Sequence, residues 1–130
     1  MGTIKQRFNL QSAGSTDTTS AGFNITLTDS LPITQPVVNL ASGTVTSATG
    51  PDTLIGTGVT DITYIYIKYV STSAGTPTMV VSTVAGTQDF ADVTIGEAIF
   101  LPVKGGTGIR VTSSDTNTIT YEYGYWTKDN

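Results

Sequence analysis

The sequence predicts an all-β protein: a single-domain antiparallel β-sandwich, jelly-roll-like, with an extended N-terminal arm. Threonine alone supplies 26 of the 130 residues, and branched or aromatic side chains favour strands because they fit a pleated, half-buried surface. Short apolar alternations separated by turn residues recur about every ten residues, a spacing typical of sandwiches and jelly rolls. A chain of this length can bury roughly two-thirds of its surface around one core, so a single domain is expected.

The N-terminal residues form a separate region in this prediction. We expect residues 1–22 to be an N-terminal arm and flexible linker and residues 23–130 to be the sandwich. Residues 11–22 contain no large apolar side chain, so burial cannot offset the entropy lost in ordering them. Before them lie Phe8 and Leu10, which are expected to anchor the arm on its own domain or on a neighbouring copy.

The first strands follow the linker. Residues 23–28 alternate apolar and polar side chains, as expected of a strand with one buried face, and a turn is predicted at residues 29–32. Residues 36–40 and 44–46 are predicted as one interrupted strand or two short ones, broken at residues 42–43. Glycine and proline predict another turn at residues 48–52.

The strongest strand pattern is Ile-Thr-Tyr-Ile-Tyr-Ile-Lys-Tyr-Val at residues 62–70. Ile65 and Ile67 face away from Tyr64 and Tyr66, so both faces are bulky. We therefore expect this strand to be central or to have its second face covered by a partner. Turn residues separate five further predicted strands, which gives eight or nine in all: residues 78–84, 90–95, 98–103, 109–112 and 118–126.

Charge disfavours some classes of partner. A net charge of −4 and a pI near 4.3 provide no electropositive field to attract phosphates, so no nucleic-acid partner is expected. Lys5 and Arg7, near the N-terminus, are interpreted as solvated terminal charges. No apolar run approaches the length of a membrane span, so no membrane partner is expected either.

Residues suited to catalysis are few. The chain has no histidine and no cysteine, so an enzyme would depend on carboxylates, Lys, Tyr or Ser. Asp89, Asp92 and Glu97 are close enough in sequence for a calcium site or a glycosidase-like pair, but their spacing does not match an EF-hand loop. We predict no catalytic residue, metal or cofactor. These three carboxylates remain as candidates for a metal site or a carboxylate-based hydrolase.

Aromatic side chains are the other candidates. If the strands at residues 62–70 and 118–126 pair, their tyrosines form cross-strand pairs, each worth about 0.2–1 kcal/mol. Such a face is the rim of a core, a subunit interface or a carbohydrate-binding platform. We predict an interface formed by eight residues: Phe8, Leu10, Tyr64, Tyr66, Tyr121, Tyr123, Tyr125 and Trp126.

Four segments between residues 60 and 128 form a characteristic succession of strands and turns. They read Thr-Tyr-Ile-Tyr-Ile-Lys-Tyr-Val-Ser at 63–71, Gly-Glu-Ala-Ile-Phe-Leu-Pro at 96–102, Gly-Ile-Arg-Val at 108–111 and Tyr-Glu-Tyr-Gly-Tyr-Trp-Thr-Lys at 121–128. This order resembles small virion structural proteins of tailed bacteriophages. It is a pattern of strands and turns, so it transfers no functional residues.

The resemblance implies a non-enzymatic structural protein located in the virion. It would be a capsid decoration (cement) protein that self-associates, as a homotrimer, and binds the major capsid protein or another virion protein. The alternative is a receptor- or carbohydrate-binding subunit of a fibre or tail, with the tyrosines and Trp126 as stacking platforms.

Overall fold

The computed structural model describes residues 2–11 and 24–128, without the side chains of residues 35–37. A single-turn 3₁₀ helix lies at Ala85–Thr87, and within the described ranges no helix has the length and apolar character needed to span a membrane. The strands are β1 (Gly2–Gln11), β2 (Asn24–Val45), β3 (Asp52–Ile55), β4 (Thr63–Thr72), β5 (Met79–Thr83), β6 (Asp89–Val93), β7 (Ala98–Val103), β8 (Ile109–Ser113) and β9 (Ile119–Lys128).

The strands form two antiparallel sheets packed as one sandwich, which confirms the predicted fold class. Sheet A has the order β1-β2-β9-β4-β7 and sheet B the order β3-β8-β5-β6. The pairs are nested along the chain: β5 with β6, β4 with β7, β3 with β8 and β2 with β9. This is one long hairpin rolled into two four-stranded sheets, the jelly-roll arrangement, and β1 extends sheet A by a fifth strand.

Backbone hydrogen bonds between turns close both ends of the sandwich. At one end the turn before β3 meets the turn before β9, where Ser47 N donates to Asp115 O at 2.9 Å. At the other end the turn after β7 meets the turn after β3, where Gly106 N donates to Val59 O at 2.8 Å. Turns that are distant in sequence therefore provide hydrogen-bond partners for each other's backbone groups.

The core lies between the sheets. Ile65, Ile67 and Tyr69 of β4 point inward and are fully buried, as are Val81 of β5 and Val111 of β8. The strand β4 lies between β9 and β7, as expected of a strand with two bulky faces. Burial of these side chains supplies the main stabilisation, at about 25 cal/mol per Å² of apolar surface.

The strand β2 differs from the sequence prediction. The predicted turn at residues 29–32 is wrong: these residues continue β2, and Leu31 pairs with Ile4 of β1. The predicted break at residues 42–43 is also wrong, since Gly43 pairs with Tyr121. A Cβ atom on Gly43 would lie 2.5 Å from the Tyr121 hydroxyl oxygen, so glycine here makes room for the tyrosine. The register shifts of β2 lie instead between Ile33 and position 41.

The short strand β3 was not predicted. Its four residues are too few for a clear alternation, yet Leu54 and Ile55 are buried and the strand pairs with β8 at the edge of sheet B. The predicted linker from residue 12 onward, the domain boundary at residues 22–23 and the start of the first strand at residue 23 lie outside the described residues.

Candidate interaction surface

The aromatic residues singled out in the sequence lie on both faces of sheet A. The strands β4 and β9 pair as supposed, with Tyr69 opposite Tyr121 and Tyr64 opposite Trp126. Because alternate residues of a strand face opposite sides, Tyr69 and Tyr121 point into the core. Tyr64 and Trp126 point to the outer face of the sheet.

The inward tyrosines support the sandwich. Tyr121 is 3% exposed, and its hydroxyl donates to Asp52 Oδ2 at 2.9 Å. Burial, followed by this hydrogen bond and the charge of Asp52, raises the pKa of Tyr121. The Tyr69 hydroxyl donates to the Pro77 carbonyl oxygen at 2.9 Å, so both buried phenols have partners, as buried polar groups generally require. Tyr123 and Tyr125 are partly buried at the rim of the core.

The outward aromatic residues cover the other side of sheet A. The rings of Tyr64 and Phe100 stack with centroids 5.9 Å apart and an interplanar angle of 14°. Tyr64 is buried although it lies on the outer face, and the stacked Phe100 ring covers part of it. Tyr66 is half-buried and its hydroxyl donates to Glu122 Oε1 at 2.9 Å; burial, then this bond and the charge of Glu122, raise its pKa.

The ribbon, by which we mean β1 and residues 24–33 of β2, lies beside this outer face at Tyr66 and Phe100. All ten residues of β1 pair with this part of β2, from Gly2 opposite Ile33 to Gln11 opposite Asn24. Directly paired residues share a face, so one face of the ribbon is mostly apolar and the other is polar. The apolar face carries Ile4, Phe8, Leu10, Ile25, Leu27, Leu31 and Ile33, interrupted by Gln6 and Asp29, whereas Lys5 and Arg7 belong to the polar face.

The inner half of the ribbon packs against its own domain. Ile33 is 5% exposed and Ile4 is partly buried. A groove runs between the ribbon and the outer face of sheet A, with Ile4 and Phe8 on one wall and Tyr66 and Phe100 on the other. The ribbon therefore lies next to the outer face of sheet A on the side of Tyr66 and Phe100.

The outer half of the ribbon is open. Four large apolar side chains are about half exposed: Phe8 at 47%, Leu10 at 48%, Ile25 at 51% and Leu27 at 47%. Phe8 and Leu27 still line the groove beside β7. We call these four residues the ribbon tip. Phe8 and Leu10 were predicted as anchors, and their role in an interface stays a prediction.

The pairing of β1 with β2 was not predicted from the sequence, although the sequence contains a pattern that indicates it. Ile4, Phe8 and Leu10 lie at even-numbered positions, with only Gln6 interrupting the alternation, and this is the period of a strand. Read together with the alternation that begins at Ile25, this pattern would have indicated a hairpin with a long connection.

The acidic candidates are only partly brought together: Asp92 and Glu97 line one open pocket, and Asp89 lines a separate one with Asp92. Asp89 and Asp92 lie exposed on β6, an edge strand of sheet B. Glu97 Oε1 accepts bonds from Thr94 N at 2.7 Å and Thr94 Oγ1 at 2.6 Å. These two bonds, the hydroxyl's first, lower the pKa of Glu97, so this side chain stabilises its own turn. Within residues 2–11 and 24–128, no group of three or more potential ligands is placed to hold a metal ion.

Comparison with protein-family models, with curated proteins and with solved structures finds no match. The ribbon and the groove beside it are therefore interpreted from their own geometry.

Proposed function

We propose that this chain is a non-enzymatic structural protein of a phage particle, of the capsid decoration type. In this proposal it self-associates and docks on the major capsid protein or another virion protein. The observation that carries the proposal is the ribbon tip, which holds four half-exposed apolar side chains on a two-stranded element at the edge of the sandwich.

Such an element is poorly suited to an isolated monomer. A two-stranded ribbon is only marginally stable in water by itself, and a contiguous apolar patch of a few hundred Å² commonly marks an interaction site. The ribbon tip lies on a two-stranded element and also forms an exposed apolar patch. A protein that works within a larger assembly gains stability when a neighbour covers this face.

The architecture supports the particle assignment by analogy. Jelly rolls recur in viral capsid and lectin domains, although a fold alone does not define a function. The segments that resemble phage virion proteins map to β4, β7, β8 and β9, of which β4, β7 and β9 are neighbours in sheet A. The resemblance thus concerns the body of the sandwich, whereas the ribbon carries the exposed apolar surface for association with a neighbour.

A shell-binding experiment tests the proposal. Particles lacking this protein are mixed with increasing amounts of the purified chain, and the bound fraction is measured by sedimentation. We expect saturable binding and a higher temperature of capsid disruption. Leu27→Asn should weaken binding, whereas Ile95→Asn, at a similarly exposed apolar residue outside the ribbon, should not. Failure to bind at any concentration, together with absence of the chain from purified particles, would contradict the proposal.

The groove favours a second candidate, a carbohydrate-binding fibre or tail subunit. Tyr66 and Phe100 line it next to the polar side chain of Gln6, and aromatic rings beside hydrogen-bonding groups suit sugar recognition. A glycan array separates the two candidates. Sugar binding that is lost in Tyr66→Ala, without binding to shells, would favour the fibre assignment.

A further inference from the structure

We infer that the ribbon tip is the contact between copies of this chain, with the apolar face of one ribbon packed on that of another. This inference rests on the self-association in the proposed function and specifies the surface that performs it. The partner is a second copy, and the contact is face to face.

The first argument is the continuity of the apolar face. On the inner half of the ribbon the same face already packs on a sheet, and Ile4 and Ile33 are partly or fully buried there. On the outer half the face continues through Phe8 and Leu27 to Leu10 and Ile25 but has no sheet beneath it that buries it. The apolar face of a second ribbon would bury the outer half, as the chain's own sheet buries the inner half.

The second argument is the size of the open area. Half the surface of four large apolar side chains is on the order of 300 Å², which matches the size at which a patch on a monomer is commonly functional. When two copies pack face to face, each contributes this area to the apolar centre of the contact. The groove beside Tyr66 and Phe100 adds surface around it. A standard interface buries about 800 Å² per partner, so the tip can be its core.

The third argument is the charge of the ribbon. It disfavours the alternative contact, in which the β1 edge strands of two copies pair with each other. The strand β1 is the outermost strand of sheet A, and a second β1 could in principle pair with it. An antiparallel pairing centred near Gln6 would place Lys5 of one copy opposite Arg7 of the other. Like charges directly opposite each other destabilise strand pairs, and cations on an edge strand are a known protection against such pairing.

The same charges disfavour a lipid surface as the occupant. Lys5 and Arg7 lie on the polar face, opposite Phe8 and Leu10, so a ribbon resting on a membrane by its apolar face would point both cations away from anionic headgroups. Membrane-surface elements instead gain from cations close to the headgroups. In a face-to-face pair of ribbons, the apolar sides are buried and both polar faces remain in water, as in a two-layer sheet packing.

A disulfide-trapping experiment tests the inference, because the chain has no cysteine and one introduced thiol reports on one position. Ile25→Cys places the thiol on the apolar face, opposite Leu10. The matched control Thr26→Cys places it on the polar face, opposite Asn9. Each full-length variant is oxidised under mild conditions, and covalent dimers are followed on non-reducing gels beside light scattering of the unmodified chain.

We expect oligomers by light scattering and crosslinking of Ile25→Cys that is at least roughly tenfold faster than that of Thr26→Cys. A specific contact holds two thiols at an effective concentration far above that of free chains, commonly in the millimolar range. Leu10→Cys and Asn9→Cys should repeat this contrast on the paired strand, which guards against a local effect of one substitution.

The possible outcomes separate the inference from the proposed function. Equal crosslinking rates in a chain that does form oligomers would overturn the ribbon contact but leave self-association intact. A monomeric chain that still binds shells through Leu27 would overturn the inference and assign the ribbon tip to a shell protein. Fast, selective crosslinking in a chain that is absent from particles would support the inference and contradict the proposed function.

Discussion

At the scale of single residues, adjacent side chains of one strand have different roles because they point to opposite faces of the sheet. Tyr121 and Glu122 are neighbours in sequence, yet Tyr121 is in the core and Glu122 accepts a hydrogen bond from Tyr66 on the outer face. Tyr121 also requires Gly43 opposite it on β2. A residue's role here therefore depends on the facing strand as much as on its own type.

The buried phenol of Tyr121 predicts a pH dependence of stability. Its folded-state pKa is raised, first by burial and then by Asp52, whereas an unfolded tyrosine ionises near pH 10. The folded state holds the phenolic proton more tightly, so this contribution to stability is complete below about pH 10 and is lost as the pH rises towards the folded-state pKa.

We expect the melting temperature of the wild-type chain to fall more steeply above pH 10 than that of Tyr121→Phe. At pH 7 the variant should be less stable by about 1 kcal/mol because the hydrogen bond to Asp52 is lost. Thermal melts of both proteins from pH 7 to pH 11 measure the difference, and ionisation of the other groups cancels in the comparison. Parallel curves would show that Tyr121 does not make this contribution.

At the scale of elements, the ribbon and the sandwich differ in how they are stabilised. The strands β4, β5, β8 and β9 contribute buried side chains to one core between two sheets. The ribbon, in contrast, contributes no residue to that core cluster, and four apolar side chains of its outer half are about half exposed. Local stability in proteins follows burial and contact density, so the ribbon should open more readily than the body.

Hydrogen exchange measures this difference. In dilute solution, where the chain is dissociated, amides of β1 and residues 24–33 should exchange faster than those of β4 and β9. At concentrations that promote association, the ribbon amides should become protected. The edge strand β6 serves as the internal control, since its exchange should not depend on concentration. Ribbon amides as slow as those of β4 in dilute solution would contradict this assignment of stability.

At the scale of the whole molecule, the nested pairing joins parts of the chain that are far apart in sequence. The last strand, β9, lies between β2 and β4 in sheet A, and it provides Ile119 and Tyr121 to the core. The jelly roll therefore cannot close until the C-terminal strand is present. Folds with many distant pairings also fold slowly, typically in milliseconds to seconds.

Two truncations test the dependence on β9. A chain ending at residue 118 lacks β9 and should show no cooperative thermal transition by circular dichroism, because sheet A loses the strand that joins β2 to β4. A matched deletion of residues 2–11 removes a strand of equal length that lies outside the core cluster, and this chain should still unfold cooperatively. A cooperative transition in the first truncation would mean that the sandwich does not need β9.

The local sequence pattern by itself determined the fold class and the two faces of the strand at residues 62–70. Composition and alternation predicted the all-β sandwich, and the alternation at residues 62–70 correctly separated Ile65 and Ile67 from Tyr64 and Tyr66. Phe8 and Leu10 were singled out as apolar anchors of an N-terminal arm, a role that stays a prediction. These features follow from side chains within a few positions of one another, and a period of two is visible in any single strand.

Only the tertiary structure decided which strands are neighbours and which face of each is buried. It continued β2 through residues 29–32 by pairing them with β1, added β3 at an edge, placed Tyr121 in the core and set the ribbon beside Tyr66 on the outer face. Alternation shows which side chains share a face, but it does not show what lies against that face. That depends on strands far away in the chain, so the half-open ribbon tip became visible only once its partner strand and the sheet beside it were in place.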